Sequence, residues 1–185
     1  MRKNKGFSLV ELIIVIAIMA ILAAVITPAL IRFIDKSRKA DDVASASVIS
    51  DAFNAALSEE EVYESLYAQI TPDSFASGGN YPVILWCAAG DNEWTIHDGY
   101  NSDIKAVMDK SCPPPEVRYK KEINPATSGS TIVNYITSWN KFTPAGWAVA
   151  LVKNKPCVLI TDGTTDSATP PKGISLNPII CVDYK

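Results

Sequence analysis

Residues 7–31 form an apolar run in which Glu11 is the sole charged side chain. Fifteen of these 25 residues are Ile, Leu, Val or Phe. As a helix rising 1.5 Å per residue the run reaches about 37 Å, against a hydrocarbon core of roughly 30 Å. On the translocon scale the fifteen side chains favour insertion by about 5–9 kcal/mol, whereas one acid scored like a central Asp opposes it by roughly 2.5–3.5. Insertion wins, and the position of Glu11 near the end of the run lowers its penalty. A carboxylate in hydrocarbon needs a cation at its own depth, which makes Glu11 a candidate functional residue.

The basic start, Arg2, Lys3 and Lys5, followed by an apolar run also suits a secretory signal peptide. A conventional cleavage site is missing. Ala23 and Ala24 have Ile21 and Leu22 two residues before them, where a small side chain is wanted, and Thr27-Pro28-Ala29 puts a proline between its small residues.

The basic start, then Gly6-Phe7, then Glu11 in Phe-Ser-Leu-Val-Glu, then an apolar helix carrying Pro28, resembles the class III leader and transmembrane segment of type IV prepilins. The resemblance covers about residues 2–39. It implies that a prepilin peptidase cuts between Gly6 and Phe7 on the cytoplasmic face, removes residues 1–6 and N-methylates Phe7. Glycine before the cut suits an enzyme that must draw an extended backbone close, since Gly6 puts no side chain in the way.

Cleavage creates the missing cation. The new Phe7 amine, largely protonated near neutral pH, begins four residues before Glu11. The expectation is that Glu11 of an incoming copy pairs with the Phe7 amine of its neighbour and sets the axial register of a filament. Pro28 lacks an N–H and its ring clashes with the carbonyl of Ala24, at a cost of about 3 kcal/mol inside a helix, so a bend or loosening is expected there. A passive membrane-helix kink is the plainer alternative.

Past the span, Ile34, Val43, Ala44, Val48, Ala52, Ala55 and Ala56 recur near helical spacing, with Lys36, Lys39, Asp42 and Asp51 assigned to the rest of the surface. This predicts one long helix over residues 7–57, its amphipathic part at 32–57. The alanines allow a sheet to approach one side and neighbouring copies the other. Ser58 with Glu61 reads as a capping box opening a second helix at about 59–69. Apolar β-prone segments at 82–87, 93–97, 131–136, 147–152 and 157–160 predict strands, the last two joined as a hairpin. Residues 162–173 read as an exposed loop. Strands that follow helix rather than alternate with it argue an α+β fold, a long N-terminal helix packed on an antiparallel sheet in one extracellular domain at 58–185.

The formal charge is −3, and loss of the leader leaves 14 basic against 20 acidic residues, or −6, which does not support nucleic-acid binding over the whole surface. The cysteines, Cys87, Cys112, Cys157 and Cys181, all follow the span, where disulfides are permitted, and admit three pairings. The resemblance favours Cys157 with Cys181 as a C-terminal loop, leaving Cys87 with Cys112; either loop is worth roughly 3 kcal/mol in the chain-entropy model. A four-thiolate zinc site is the competing reading, but no Cys-x-x-Cys pair exists.

Catalysis finds little support, and no cofactor or metal is expected. His97 is the lone histidine and no phosphate loop is present. Segments 98–103 and 162–166 hold oxygen ligands without the spacing of a calcium loop, and turns explain both. Basic residues on both sides of the span, with Arg32, Lys36, Arg38 and Lys39 following it, leave the positive-inside rule equivocal, so orientation rests on the resemblance.

The resulting expectation is a non-enzymatic pilus subunit for adhesion, motility or DNA uptake, first a single-pass membrane precursor with its domain outside, then part of an extracellular fibre. Its implied partners are copies of itself, the prepilin peptidase, an inner-membrane assembly platform with its ATPase, and lipid before assembly. A pseudopilin of a type II secretion system and a membrane-anchored extracellular binding protein that never polymerises are the alternatives.

Overall fold

The computed structural model describes residues 7–68, 83–88, 90–96, 100, 102–123, 141–152, 155–164 and 173–178. Three helices are described: α1 (Leu9–Ala56), α2 (Glu60–Tyr67) and α3 (Asp103–Ser111). Five strands accompany them: β1 (Val83–Cys87), β2 (Thr95–Ile96), β3 (Gly146–Val152), β4 (Lys155–Thr161) and β5 (Gly173–Asn177). The chain divides into two compact units, Met1–Ser37 and Arg38–Lys185.

In the second unit an antiparallel sheet runs in the order β2-β1-β3-β4-β5. Alternation along the strands sorts their side chains onto two faces. Trp147, Val149 and Leu151 of β3, Val158 and Ile160 of β4, and Ile174 and Leu176 of β5 join Ala46, Ile49, Phe53 and Ala56 of α1 in one buried cluster. Ala148, Ala150, Cys157 and Leu159 join Val83 and Trp86 in a second. Both faces are therefore buried, and that is why β1, β3 and β4 read as continuous apolar runs rather than alternating ones. A register shift between Val83 and Leu85 breaks the alternation in β1, putting both Ile84 and Leu85 in the cluster with α1. At the head of β3 the backbones close in: a Cβ on Gly146 would lie 2.2 Å from the carbonyl oxygen of Cys87, so only glycine fits.

The α+β architecture matches expectation, while several local readings need correction. Ser58 does not cap α2. Its hydroxyl donates to the Ala55 carbonyl at 2.6 Å, closing the last turn of α1, while Glu59 stands at the α2 N-cap without a side-chain bond. The inward face of α1 only partly matches the predicted one. Ala56 is buried and Val43 and Ala52 pack against the core as expected, but Ala44, Val48 and Ala55 are exposed, while Ala46, Ile49 and Phe53, outside the predicted stripe, are buried. Alanine on both sides blurred the phase, and the large Ile49 and Phe53 settle it.

Helix α3 and strand β5 were not expected. Asp103 opens α3 rather than closing a turn, with Ile104 and Met108 buried four residues apart. The loop predicted to run to residue 173 ends where β5 begins at Gly173. The strand predicted at 131–136, His97 and Cys181 lie outside the described residues.

Candidate functional site

Every residue from 7 to 34 is exposed. Mean hydropathy reaches 3.1 within α1, which is long and apolar enough to cross a membrane. An apolar surface exposed in this way depends for its stability on lipid or on another apolar surface.

At the head of the helix, Ser8 and Glu11 bond reciprocally. The Ser8 hydroxyl accepts the Val10 N–H at 3.3 Å, and the Glu11 carboxylate accepts the Ser8 N–H at 2.9 Å. Ser-x-x-Glu at 8–11 is thus a capping box, formed where the sequence reading sought one at Ser58. The geometry puts the carboxylate at the positive end of the helix dipole and next to Phe7, the residue with which the expected cleavage would begin the mature chain.

Pro28 lies inside α1 without ending it. One residue before it the Thr27 hydroxyl donates to the Ala23 carbonyl, a turn back, at 2.6 Å, while the carbonyl of Ala24 is the one that Pro28 deprives of its usual donor. Neighbouring side-chain hydroxyls of this kind let a proline persist in a membrane helix.

Asp42, assigned to the surface from sequence, is fully buried. Its two oxygens accept the backbone N–H groups of Arg118 and Tyr119 at 2.7 and 3.0 Å. Charge-assisted bonds to two amides repay the desolvation of the carboxylate and tie α1 to a segment 76 residues away. Lys39, one turn back, sets its ammonium 5.0 Å from the centre of the Tyr119 ring. The signal was present as an acid within an inward stripe, which helical periodicity cannot recognise as buried.

Cys87, Cys112 and Cys157 are buried and carry free thiols. The Cys87–Cys112 bridge is not formed. Cys87 Sγ instead donates to the carbonyl of Ala88 at 3.1 Å, and the Cys112 carbonyl accepts the Trp94 indole N–H at 2.7 Å. Burial, then the charge of Asp91, pushes the Cys87 thiol up to about 11, and burial also raises Cys112 and Cys157. Thiols held protonated in this way are poor nucleophiles and poor metal ligands.

A cleft of about 500 Å³ lies beside Cys87, between Asp91, Pro114, Pro115 and the indole of Trp147. Its cation, Lys120, is paired to Glu116 at 2.8 Å and holds that carboxyl below its usual range. Among the described residues no cluster of three or more His, Cys, Asp or Glu is placed to hold a metal. In the predicted loop at 162–166, the Asp162 carboxylate bonds Thr164 N and Oγ1 at 3.3 and 2.7 Å, a local turn.

The family model for the prokaryotic N-terminal methylation motif matches residues 1–27. The type IV major pilin protein PilA of Myxococcus xanthus is 34% identical over 93 residues, 49% of this chain and 41% of that protein. The type IV wide pilus major component PilA4 of Thermus thermophilus is 31% identical over 136 residues, 61% of this chain and the whole of that protein. No solved structure matches the chain significantly.

Proposed function

This chain belongs to the type IV pilin family, and we propose that it is a structural rather than catalytic subunit, polymerised through α1 into an extracellular pilus. The observation that carries this reading is the uncovered apolar helix of residues 7–34 with a single carboxylate at its head. Such a surface has two stable environments, a bilayer and a bundle of like helices, and a pilin passes from the first to the second. The alignment over the whole length of a wide-pilus component supports the same reading.

Processing follows from the same residues. The peptidase cuts between Gly6 and Phe7 on the cytoplasmic side and N-methylates Phe7; the chain then stays in the membrane with its domain outside until the assembly platform and ATPase draw it into the fibre. The mature amine begins one residue before Ser8, whose own N–H already bonds Glu11. Glu11 of an incoming copy therefore arrives oriented by its own capping box and exchanges that neutral donor for the cationic amine of the neighbour. Charge-assisted bonds are roughly twice as strong as neutral ones, and more so where water is excluded. Pro28 leaves the Ala24 carbonyl short of a helical donor, which makes that turn the easiest part of α1 to stretch as subunits pack.

Glu11→Ala tests the reading. The variant chain is expected to be made and cleaved at normal levels yet to form no surface fibres, judged by electron microscopy of sheared cells and by blotting of membrane fractions. Fibres at wild-type abundance would refute it.

A further inference from the structure

Arg32 is the first charged residue after Glu11 and directly follows the apolar run. Wherever that run leaves the hydrocarbon, and whatever Pro28 does to its angle, Arg32 arrives at the boundary between acyl chains and headgroups. Lys36 is its neighbour one turn on: four residues put the two about 40° apart around the helix and about 6 Å apart along it. A headgroup layer is roughly 5–7 Å deep on each side of the hydrocarbon, so both cations fall within it. They share one uninterrupted stretch of α1, beyond Pro28 and inside the first compact unit.

Both side chains are exposed, and neither is in an ion pair among the described residues. Asp35, between them in sequence, already has a partner within the chain. Lys39, next on the same side, is set against the Tyr119 ring. Arg38 projects roughly 120–160° away from the pair and about 9 Å beyond Arg32 along the helix, at the outer limit of the layer. The exposed Phe33 and Ile34 beside Arg32 give acyl chains an apolar surface up to that level. What stands at the end of the run is thus a pair of neighbouring cations on the side of a membrane helix, at the depth of lipid phosphates.

We propose that Arg32 and Lys36 together hold the headgroup of one anionic phospholipid, in the leaflet where the apolar run ends. The inference rests on the membrane-precursor part of the pilin reading and names the lipid chemistry that holds the precursor. A guanidinium donates two parallel hydrogen bonds to a phosphate, and an ammonium adds a compact charge on a flexible stem. Both stems lie along apolar surface while their heads reach the phosphate. Two cations favour a headgroup of net negative charge over a zwitterionic one, whose own ammonium they repel.

Native mass spectrometry tests it, on the chain extracted from membranes in mild detergent and mixed with equal amounts of dioleoyl phosphatidylglycerol and dioleoyl phosphatidylcholine. The unaltered chain is expected to retain phosphatidylglycerol roughly tenfold over phosphatidylcholine, and the R32Q/K36Q variant to fall to within about twofold of no preference. R32K/K36R, which keeps both charges, and R38Q, which removes one from another side, are expected to stay near wild type. Where R32Q/K36Q does not accumulate in membranes, K36Q carries the test with an expected loss of about threefold. No preference in the unaltered chain, a wild-type preference in R32Q/K36Q, or an equal loss in R38Q would each overturn the site, the last because it reports diffuse charge. Displacement of the lipid by millimolar inorganic phosphate would also overturn it, by assigning the pair to a free anion. The same spectra weigh the chain: one that retains residues 1–6 speaks against the pilin reading, a result separate from any change in lipid preference.

Discussion

The two ends of α1 share one secondary structure and answer to different surroundings. From residue 7 to 34 every side chain is exposed and nearly all are apolar. From Asp42 to Ala56 six residues are buried, Asp42 and Ser50 among them. In the first part the pattern has no inward side, whereas in the second Ile49 and Phe53 share one buried cluster with β3 and β4 side chains and the helix acquires a phase. Helix formation is thus common to both, and what covers the helix decides the role. The covered part anchors a domain, and the uncovered part awaits other copies.

Substitutions sharpen this contrast, the largest effect coming from the covered part. Phe53→Ala should cost about 3–5 kcal/mol of domain stability, a cavity effect measurable by urea unfolding of the detergent-solubilised chain followed by tryptophan fluorescence. A loss below about 1 kcal/mol would mean that α1 does not pack on the sheet in this phase. Asp42→Ala should cost about 1–3 kcal/mol, because the half-buried amides of Arg118 and Tyr119 lose their acceptor. Val48→Ala, adjacent in sequence to Ile49 but 59% exposed, should stay within about 0.5 kcal/mol in the same assay. If Val48 proved as costly as Phe53, the outward face would be an inward one.

The smallest effect is the titration of Cys87. Its thiol ionises near 11 when folded and near 8.5 when unfolded. The unfolded chain therefore releases its proton first as pH rises, so the folded state loses stability from about pH 8.5 upward until both states are ionised. Alkylation of native Cys87 should accordingly be slow at pH 8 and accelerate toward pH 11, read by mass spectrometry of the labelled peptide. Rapid labelling at pH 8 would show that the turn at Ala88 and Asp91 does not enclose it.

How much was legible follows from the physics of each segment. The apolar run and Glu11 stood out because hydrocarbon tolerates few charges, so composition alone reports them. The hairpin of β3 and β4 was legible from two β-prone runs around Lys153-Asn-Lys-Pro156, although burial on both faces removed the usual alternation. The phase of α1 was not, because alanine suits either side and the buried Asp42 mimics a surface acid until Arg118 and Tyr119 are brought to it. Helix α3 escaped because a turn-rich start at 98–103 masked the spacing of Ile104 and Met108. At the candidate site, the Ser8–Glu11 capping box was present in the letters but hidden by the stronger expectation that the carboxylate serves an amine.

The measurement that bears most directly on the whole account is N-terminal sequencing with intact mass of the protein in purified surface fibres. The account predicts a chain that starts at N-methylated Phe7 and retains the entire apolar run. A fibre subunit that still begins at Met1, or one that begins beyond residue 31, would contradict it.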